Sequence, residues 1–280
     1  MKKIINIIKS TILILIFFIL LIEFCFGDIY IKYLGHSCFY INFKDNNNQN
    51  IMSILIDPYS YELSYPYLKD FEKTNEFKNL NYIISSHTHF DHFNENIFKL
   101  LKSKYIKGAD DNNWYPFYLE NNKIKIYNFG IYHDENLGKD RGKNSITVIE
   151  SNLNNEKFKL VHLGDIGHLL NENTNYINKK NFNINEIKNC DILFIPVGGY
   201  FTIDINKINE LIGFINPKSI IPMHYKNKYI PDFPISNLND FFNNPKIKEK
   251  LKGFKIVESQ NSITIKNKIT QKQVIIFKIY

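Results

Sequence analysis

The seven residues Ser86-His87-Thr88-His89-Phe90-Asp91-His92 follow directly on the apolar stretch Tyr82-Ile83-Ile84, and they constrain the chain more than any other feature. Four residues of metal-ligand type fall within six positions. A strand that ends in His-x-His places both imidazoles on one side of the turn, where His87 and His89 can share one metal ion. Asp91 and His92 continue round the turn and can reach a second. Burying such groups unpaired in an apolar core is costly, so the spacing reads as a metal site; a polar turn with chance histidines is the alternative.

The rest of the chain repeats one rule: a candidate ligand stands where an apolar strand runs out into a loop. Residues 29–34, 38–43 and 51–56 read as strands, the last ending in Asp57-Pro58. The strand 124–129 delivers His133-Asp134. A hairpin of 146–150 and 158–163 ends in Gly164-Asp165. A buried strand at 191–197 leads to Gly198-Gly199-Tyr200, and 219–222 leads to Met223-His224-Tyr225. Between them, short helices are expected near 69–73 and 94–102, then over 205–215 and, as a mostly helical stretch, 236–251, with strands near 254–257 and 274–279 closing the chain. Sheets place chemistry at strand ends because the sheet fixes position while the loops vary.

Composition sets the bounds. Of 280 residues, 44% are hydrophobic and 15% aromatic, enough for a substantial core. The formal charge of +7 is spread over scattered lysines, densest at 246–255, with no basic stripe interleaved with aromatics; nucleic-acid binding is not expected. The first 27 residues are a separate object. Lys2 and Lys3 precede an uninterrupted apolar run, Thr11 to Ile22, and Cys25 and Gly27 stand at −3 and −1 of a cleavage point before Asp28. That is the layout of a secretory signal peptide, so the domain 28–280 is expected to be exported, periplasmic or extracellular. An uncleaved N-terminal anchor, with membrane contact through residues 1–27 only, is the alternative. Three cysteines make no disulfide framework; Cys38 and Cys190 read as buried thiols, with a bridge between them left open.

The ligand turn His87-x-His89-x-Asp91-His92, a later isolated histidine, Gly164-Asp165 and Pro222-Met223-His224-Tyr225 together resemble the metallo-β-lactamase superfamily, over essentially all of 28–280. Tyr33-Leu34-Gly35-His36-Ser37, Ile56-Asp57-Pro58 and Ile195-Pro196-Val197-Gly198-Gly199 resemble its stand-alone metal-dependent hydrolases, the branch related to ascorbate-phosphate lactonase. The resemblance implies an α/β fold, a single-domain αββα four-layer sandwich, with two divalent metals at one edge of the sheets, usually zinc. Histidine and carboxylate ligands also accept manganese or iron. By motif, His87, His89 and His133 would bind the first metal and Asp91, His92 and His224 the second, with Asp165 bridging; Asp91 and Asp165 are the carboxylates on which catalysis would rest. His162 competes with His133 for the third histidine position. Asp57 would support the ligand loop, and His36 and His168 are further candidates beside the site. Arg141 and Asn144 are candidates to reach a polar or anionic substrate group, and Tyr200 and Tyr225 to form cavity walls.

The expected activity is hydrolysis of a small molecule, with a metal-bridging hydroxide attacking a lactone, ester or amide carbonyl or a phosphodiester. Asp165 and His224 are 59 residues apart, too few to hold the inserted domain of nucleic-acid-processing relatives. His89 stands where flavodiiron relatives have glutamate. Class B β-lactamases generally lack an aspartate at the position of Asp165, and the strand-like C-terminus does not match the helical domain of glyoxalase II. The alternative from another class is an exported metal-binding or interaction module that keeps the fold without turnover.

Overall fold

The computed structural model describes residues 27–153, 156–174 and 176–278. Apart from Gly27, the expected signal segment, Cys25 included, lies outside the described residues. Among those described, no helix is long and apolar enough to cross a membrane.

In chain order the strands are β1 (Ile29–Gly35), β2 (Cys38–Lys44), β3 (Asn50–Ile56), β4 (Tyr82–Ser85), β5 (Tyr105–Lys107), β6 (Tyr118–Glu120) and β7 (Ile124–Tyr132), then β8 (Lys143–Leu153), β9 (Glu156–His162), β10 (Ile192–Pro196), β11 (Ser219–Met223), β12 (Lys255–Ser259), β13 (Ser262–Ile265) and β14 (Gln273–Phe277). Six form one sheet in the order β13-β1-β2-β3-β4-β5, and eight form the other in the order β12-β14-β11-β10-β9-β8-β7-β6. The helices are α1 (Tyr67–Phe71), α2 (Asn75–Lys78), α3 (Glu95–Leu100), α4 (Ile208–Ile215), α5 (Leu238–Asn243) and α6 (Pro245–Lys250).

Side-chain alternation turns these strands into layers. Successive residues of a strand point to opposite faces. Phe39, Ile41 and Phe43 of β2 and Ile54 and Ile56 of β3 pack between the sheets against Ile192 and Phe194 of β10. Cys38, Tyr40 and Leu55, the intervening residues, pack outward beneath Leu68, Phe71, Phe77 and Ile97 of α1, α2 and α3. The second sheet does the same: Leu193 and Ile195 face outward onto Ile208, Leu211, Ile212 and Ile215 of α4, whose spacing i, i+3, i+4, i+7 is one helical face. Phe39 and Phe194, with ring centroids 4.6 Å apart, join the two sheets. The result is the expected helix–sheet–sheet–helix sandwich.

Local details go beyond the sequence reading, α2 and β6 among them. The stretch 236–251 is mostly helical as expected and consists of two helices, because Asn244 ends α5 and caps α6 with Pro245 in its first turn. The first three residues of 205–215 form a 3-10 turn before α4 begins. Strand β13 was not expected; it pairs antiparallel to β1 from Ile29↔Ile265 to Lys32↔Ser262.

The sheet ends set up the site. Asp57 follows β3, the ligand turn follows β4, His133 follows β7, Asp165 lies three residues past β9, and His224 follows β11. Strands β3 and β4 run parallel, as do β9, β10 and β11, while β7 runs antiparallel to β8 and so parallel to β9. Parallel strands deliver their C-terminal ends to one edge, and the four ligand-bearing segments meet there together with Asp57.

Candidate metal centre

At that edge the described residues form three interlocking groups of ligand atoms: His87 with His89 and His133; His36 with Asp91, His92 and His224; and His87 with His92 and Asp165. Asp165 ties them together. Its Oδ1 lies 3.0 Å from His92 Nε2, while its Oδ2 lies 3.4 Å from His133 Nε2 and 3.1 Å from His224 Nε2. Asp91 Oδ2 is 3.1 Å from His36 Nε2, 3.4 Å from His224 Nε2 and 3.7 Å from His92 Nε2.

Apart from the His36–Asp91 hydrogen bond, these contacts are close without being well-made hydrogen bonds. His92 Nε2, His133 Nε2, His224 Nε2 and Asp165 Oδ1 are all buried and have no properly directed hydrogen-bond partner. Orphaned buried polar atoms are rare in folded proteins, and four of them converging is what a cation shared between them would explain. Imidazole nitrogen and carboxylate oxygen are also the donor set that zinc takes. The residues therefore fit the implied metals.

Supporting groups orient the rings. Asp57 is fully buried; its Oδ1 accepts Ser86 N–H at 2.6 Å, and its Oδ2 accepts Ser86 O–H at 2.8 Å and lies 2.7 Å from His92 Nδ1. This turns His92 Nε2 inward. Asp111 does the equivalent for His89: its Oδ1 is 3.2 Å from His89 Nε2, which leaves Nδ1 facing His87 Nε2 at 3.1 Å. A carboxylate on the far nitrogen of a ligand histidine fixes tautomer and raises basicity. The backbone joins in: His36, Asp57 and His224 all sit in the left-handed region, with φ of 53°, 48° and 52°. Such conformations cost energy in a residue with a Cβ and gather where geometry is prescribed by function. Gly198 lets the β10 loop pass His224, since a Cβ there would meet His224 O at 2.2 Å.

The electrostatics are those of a charge-dense cluster. Burial favours neutral Asp91 and Asp165, but the histidines around them outweigh it and hold both carboxyls well below their ordinary range. Burial likewise opposes charge on His224, yet Asp165 and Asp91 lift it to about 9. His92 is raised well above the usual value against burial, by Asp165, Asp91 and Asp57. His87 goes the other way, pushed down by burial and by His92 and His133. His36 falls to about 4 through burial and its neighbour His224. With both carboxylates ionised, the protons on His92 and His224 balance charge that a divalent cation would otherwise balance, so metal binding here releases protons.

The remaining candidates divide. His133, not His162, joins the ligand groups. His162 lies within β9, 3.1 Å from Ser37 O, and its Nδ1 accepts Gly164 N–H, so it braces the loop that carries Asp165. His36 stands directly on Asp91. His168 is outside the three groups; its Nδ1 meets Leu169 O, and the ring lines a separate hollow of about 260 Å³ with Tyr132, Asp134 and Leu137. Asn144 is fully buried and donates to Leu163 O, which takes it away from any substrate. Tyr225 packs into the core beneath the outer helices rather than forming a wall, again because it is buried. Tyr200 is exposed, with Arg141 stacked against it. Ser86 and Asp111 escaped the sequence reading: Ser86 has no feature that marks it, and Asp111 comes from the otherwise uninformative loop after β5. Cys38 and Cys190 are free and buried, so the bridge left open does not form.

The comparisons with known proteins agree with this geometry. Residues 30–224 match the family model for the beta-lactamase superfamily domain. A UPF0173 metal-dependent hydrolase of Caldivirga maquilingensis is 24% identical over 213 residues, covering 70% of this chain and 82% of the relative. Among solved structures, a metallo-beta-lactamase superfamily protein of Thermotoga maritima superposes with a TM-score of 0.57 at 24% identity, over 90% of this chain and all of that one. Igni18, a metallo hydrolase of Ignicoccus hospitalis, gives 0.58 at 21% identity, over 86% of this chain and all of that one. With the family model spanning more than half of its length, the chain belongs to the beta-lactamase superfamily.

Proposed function

We propose that the protein is a binuclear metal-dependent hydrolase that cleaves a small-molecule lactone, ester or amide, or a phosphodiester. The observation that carries the reading is Asp165, whose two oxygens face histidines of both ligand groups at once. His87, His89 and His133 would hold one divalent ion and Asp91, His92 and His224 the other, zinc in the first instance, with manganese or iron also suited to these donors. Bound there, the ions supply Lewis acidity and a water acidic enough to attack near neutral pH. The protein's own part is to keep Asp91 and Asp165 ionised, to hold the ligand nitrogens inward through Asp57 and Asp111, and to shield the cluster from bulk water. His36, with its Nε2 on Asp91, positions that carboxylate.

Export fits the layout of the N-terminus, and cutting before Asp28 spares every strand among the described residues, since β1 opens at Ile29. The substrate is then met outside the cytoplasm. Assays of the purified protein with bis(4-nitrophenyl) phosphate and simple lactones test the reading. Turnover that a chelator abolishes and zinc or manganese restores supports it; a fully metal-loaded protein without turnover on any of these classes favours a binding module.

A further inference from the structure

The chain has 35 basic residues, and only one of them is arginine. Arg141 lies in the loop that begins at His133 and closes where His133 N–H bonds Gly142 O. The Asp134 carboxylate accepts four backbone N–H groups of that loop, from Asn136, Gly138, Asp140 and Arg141, and so fixes its shape. The guanidinium stands 5.0 Å above the Phe201 ring and 5.6 Å from Tyr200, and Nη1 donates to Tyr200 O. Tyr200 and Phe201 belong to the loop after β10, which packs on His224 through Gly198. Arg141 thus ties the loop that delivers His133 to the loop that packs against His224.

From there a path of rings leads to the metal centre. Phe201 is 6.2 Å from Phe233, and Phe233 is 6.1 Å from His36 and 6.2 Å from Phe90, which sits inside the ligand turn. Phe90 and Tyr200 are 45% and 64% exposed, although most large apolar side chains of this protein are covered. No described carboxylate pairs with Arg141; the lysine-bearing ion pairs around it, such as Lys207 with Glu135, leave it out. A guanidinium on aromatic rings keeps its charge, loses little freedom on binding, and presents several N–H donors in a plane that suits two oxygens at once.

We infer that Arg141 reads an anionic group of the substrate, a carboxylate or a phosphate, while the exposed rings of Phe90 and Tyr200 receive an apolar body beside it. The inference rests on the hydrolase reading for the identity of the site and narrows it to anionic, partly apolar substrates. A lysine at this position would give charge without the two-point geometry.

Calorimetric titration of the metal-loaded full chain with benzoate, phenylphosphonate and neutral benzamide tests this without turnover. The wild type is expected to bind one of the anions at least tenfold more tightly than benzamide, since hydrogen bonds to charged groups are the strong ones. Whichever anion binds more tightly identifies carboxylate or phosphate as the source. Arg141→Met is expected to weaken anion binding about tenfold with benzamide binding unchanged, any anion preference that remains being that of the metal ions, and Arg141→Lys to recover only part of the loss. A folded Arg141→Met with the wild-type preference, an Arg141→Lys that equals wild type, or a wild type without preference would overturn the inference. Preference that depends on Arg141 in a protein that hydrolyses nothing would leave it standing and end the hydrolase reading; hydrolysis indifferent to Arg141 would do the reverse.

Discussion

Asp57 is not among the residues assigned to the metals, yet its replacement should damage both stability and metal binding, by amounts the geometry allows to be worked out. Its carboxylate serves three buried donors: Ser86 N–H, Ser86 O–H and His92 Nδ1–H. In Asp57→Asn, the one remaining oxygen best takes the Oδ2 place, keeping Ser86 O–H and His92. The new NH2 then faces Ser86 N–H, leaving two buried donors opposed, at about 1–3 kcal/mol each, so roughly 2–4 kcal/mol after partial relaxation. Asparagine tolerates the left-handed backbone at φ 48°. Asp57→Ala orphans all three donors and adds about 1 kcal/mol of backbone strain, for a total of roughly 4–7 kcal/mol. A typical domain holds only about 5–15 kcal/mol, so the alanine variant should sit near unfolding while the asparagine variant folds. In Asp57→Asn, the metal bound through His92 should weaken about 10- to 100-fold, as His92 loses the carboxylate that orients it. Urea denaturation of the chelated protein reads the first effect and competition with a metal indicator the second. Wild-type stability together with wild-type affinity at both sites in Asp57→Asn would refute the reasoning.

Four further outcomes are expected. Gly164→Ala should lose roughly 2 kcal/mol or more and most activity, because φ is +52° and a Cβ would meet Asn144 Oδ1 at 2.3 Å; a variant as stable and active as wild type would contradict this. His162→Ala should lower the melting temperature yet keep its metal, whereas His133→Ala should lose the first metal, as metal analysis of both variants will read. Thiol labelling with peptide mapping at pH 8 should leave Cys38 and Cys190 unmodified until denaturant is added, since burial pushes Cys190 up to about 12 and holds Cys38 well above its ordinary value. The chelated protein should become less stable as pH rises from about 6.5 toward 9: His224 is raised on folding, so its contribution is full below the unfolded value near 6.5 and is lost as pH passes the folded value of about 9. Metal affinity should rise over the same interval, as protons no longer compete; melting curves with and without chelator distinguish the two slopes.

The site was legible because its spacing is local. His87, His89, Asp91 and His92 fall on one turn, and apolar strands announce His133, Asp165 and His224 just past their ends. The apolar runs at 29–34, 38–43 and 51–56 read as strands for the same reason, and they form β1, β2 and β3. What stayed hidden depends on contacts between distant parts of the chain. β13 is a four-residue strand, Ser-Ile-Thr-Ile, too short to stand out in the sequence, and it forms against the edge offered by β1, more than 200 residues away. Asp111 matters through one distance to His89, and its exposed loop carries no pattern. Asn144 and Tyr225 looked available because a loop and a strand exit stand next to chemistry; burial, which sequence does not give residue by residue, assigned them to packing.

The central claim is that two metals share Asp165. Metal content of the purified, reconstituted protein by mass spectrometry, with Asp165→Ala and His224→Ala measured alongside, tests it most directly. The account predicts about two ions per chain in the wild type, a loss of at least one in each variant, and retention of the ion held by His87, His89 and His133 in His224→Ala. One ion per chain in the wild type, or two in Asp165→Ala at wild-type affinity, would contradict it.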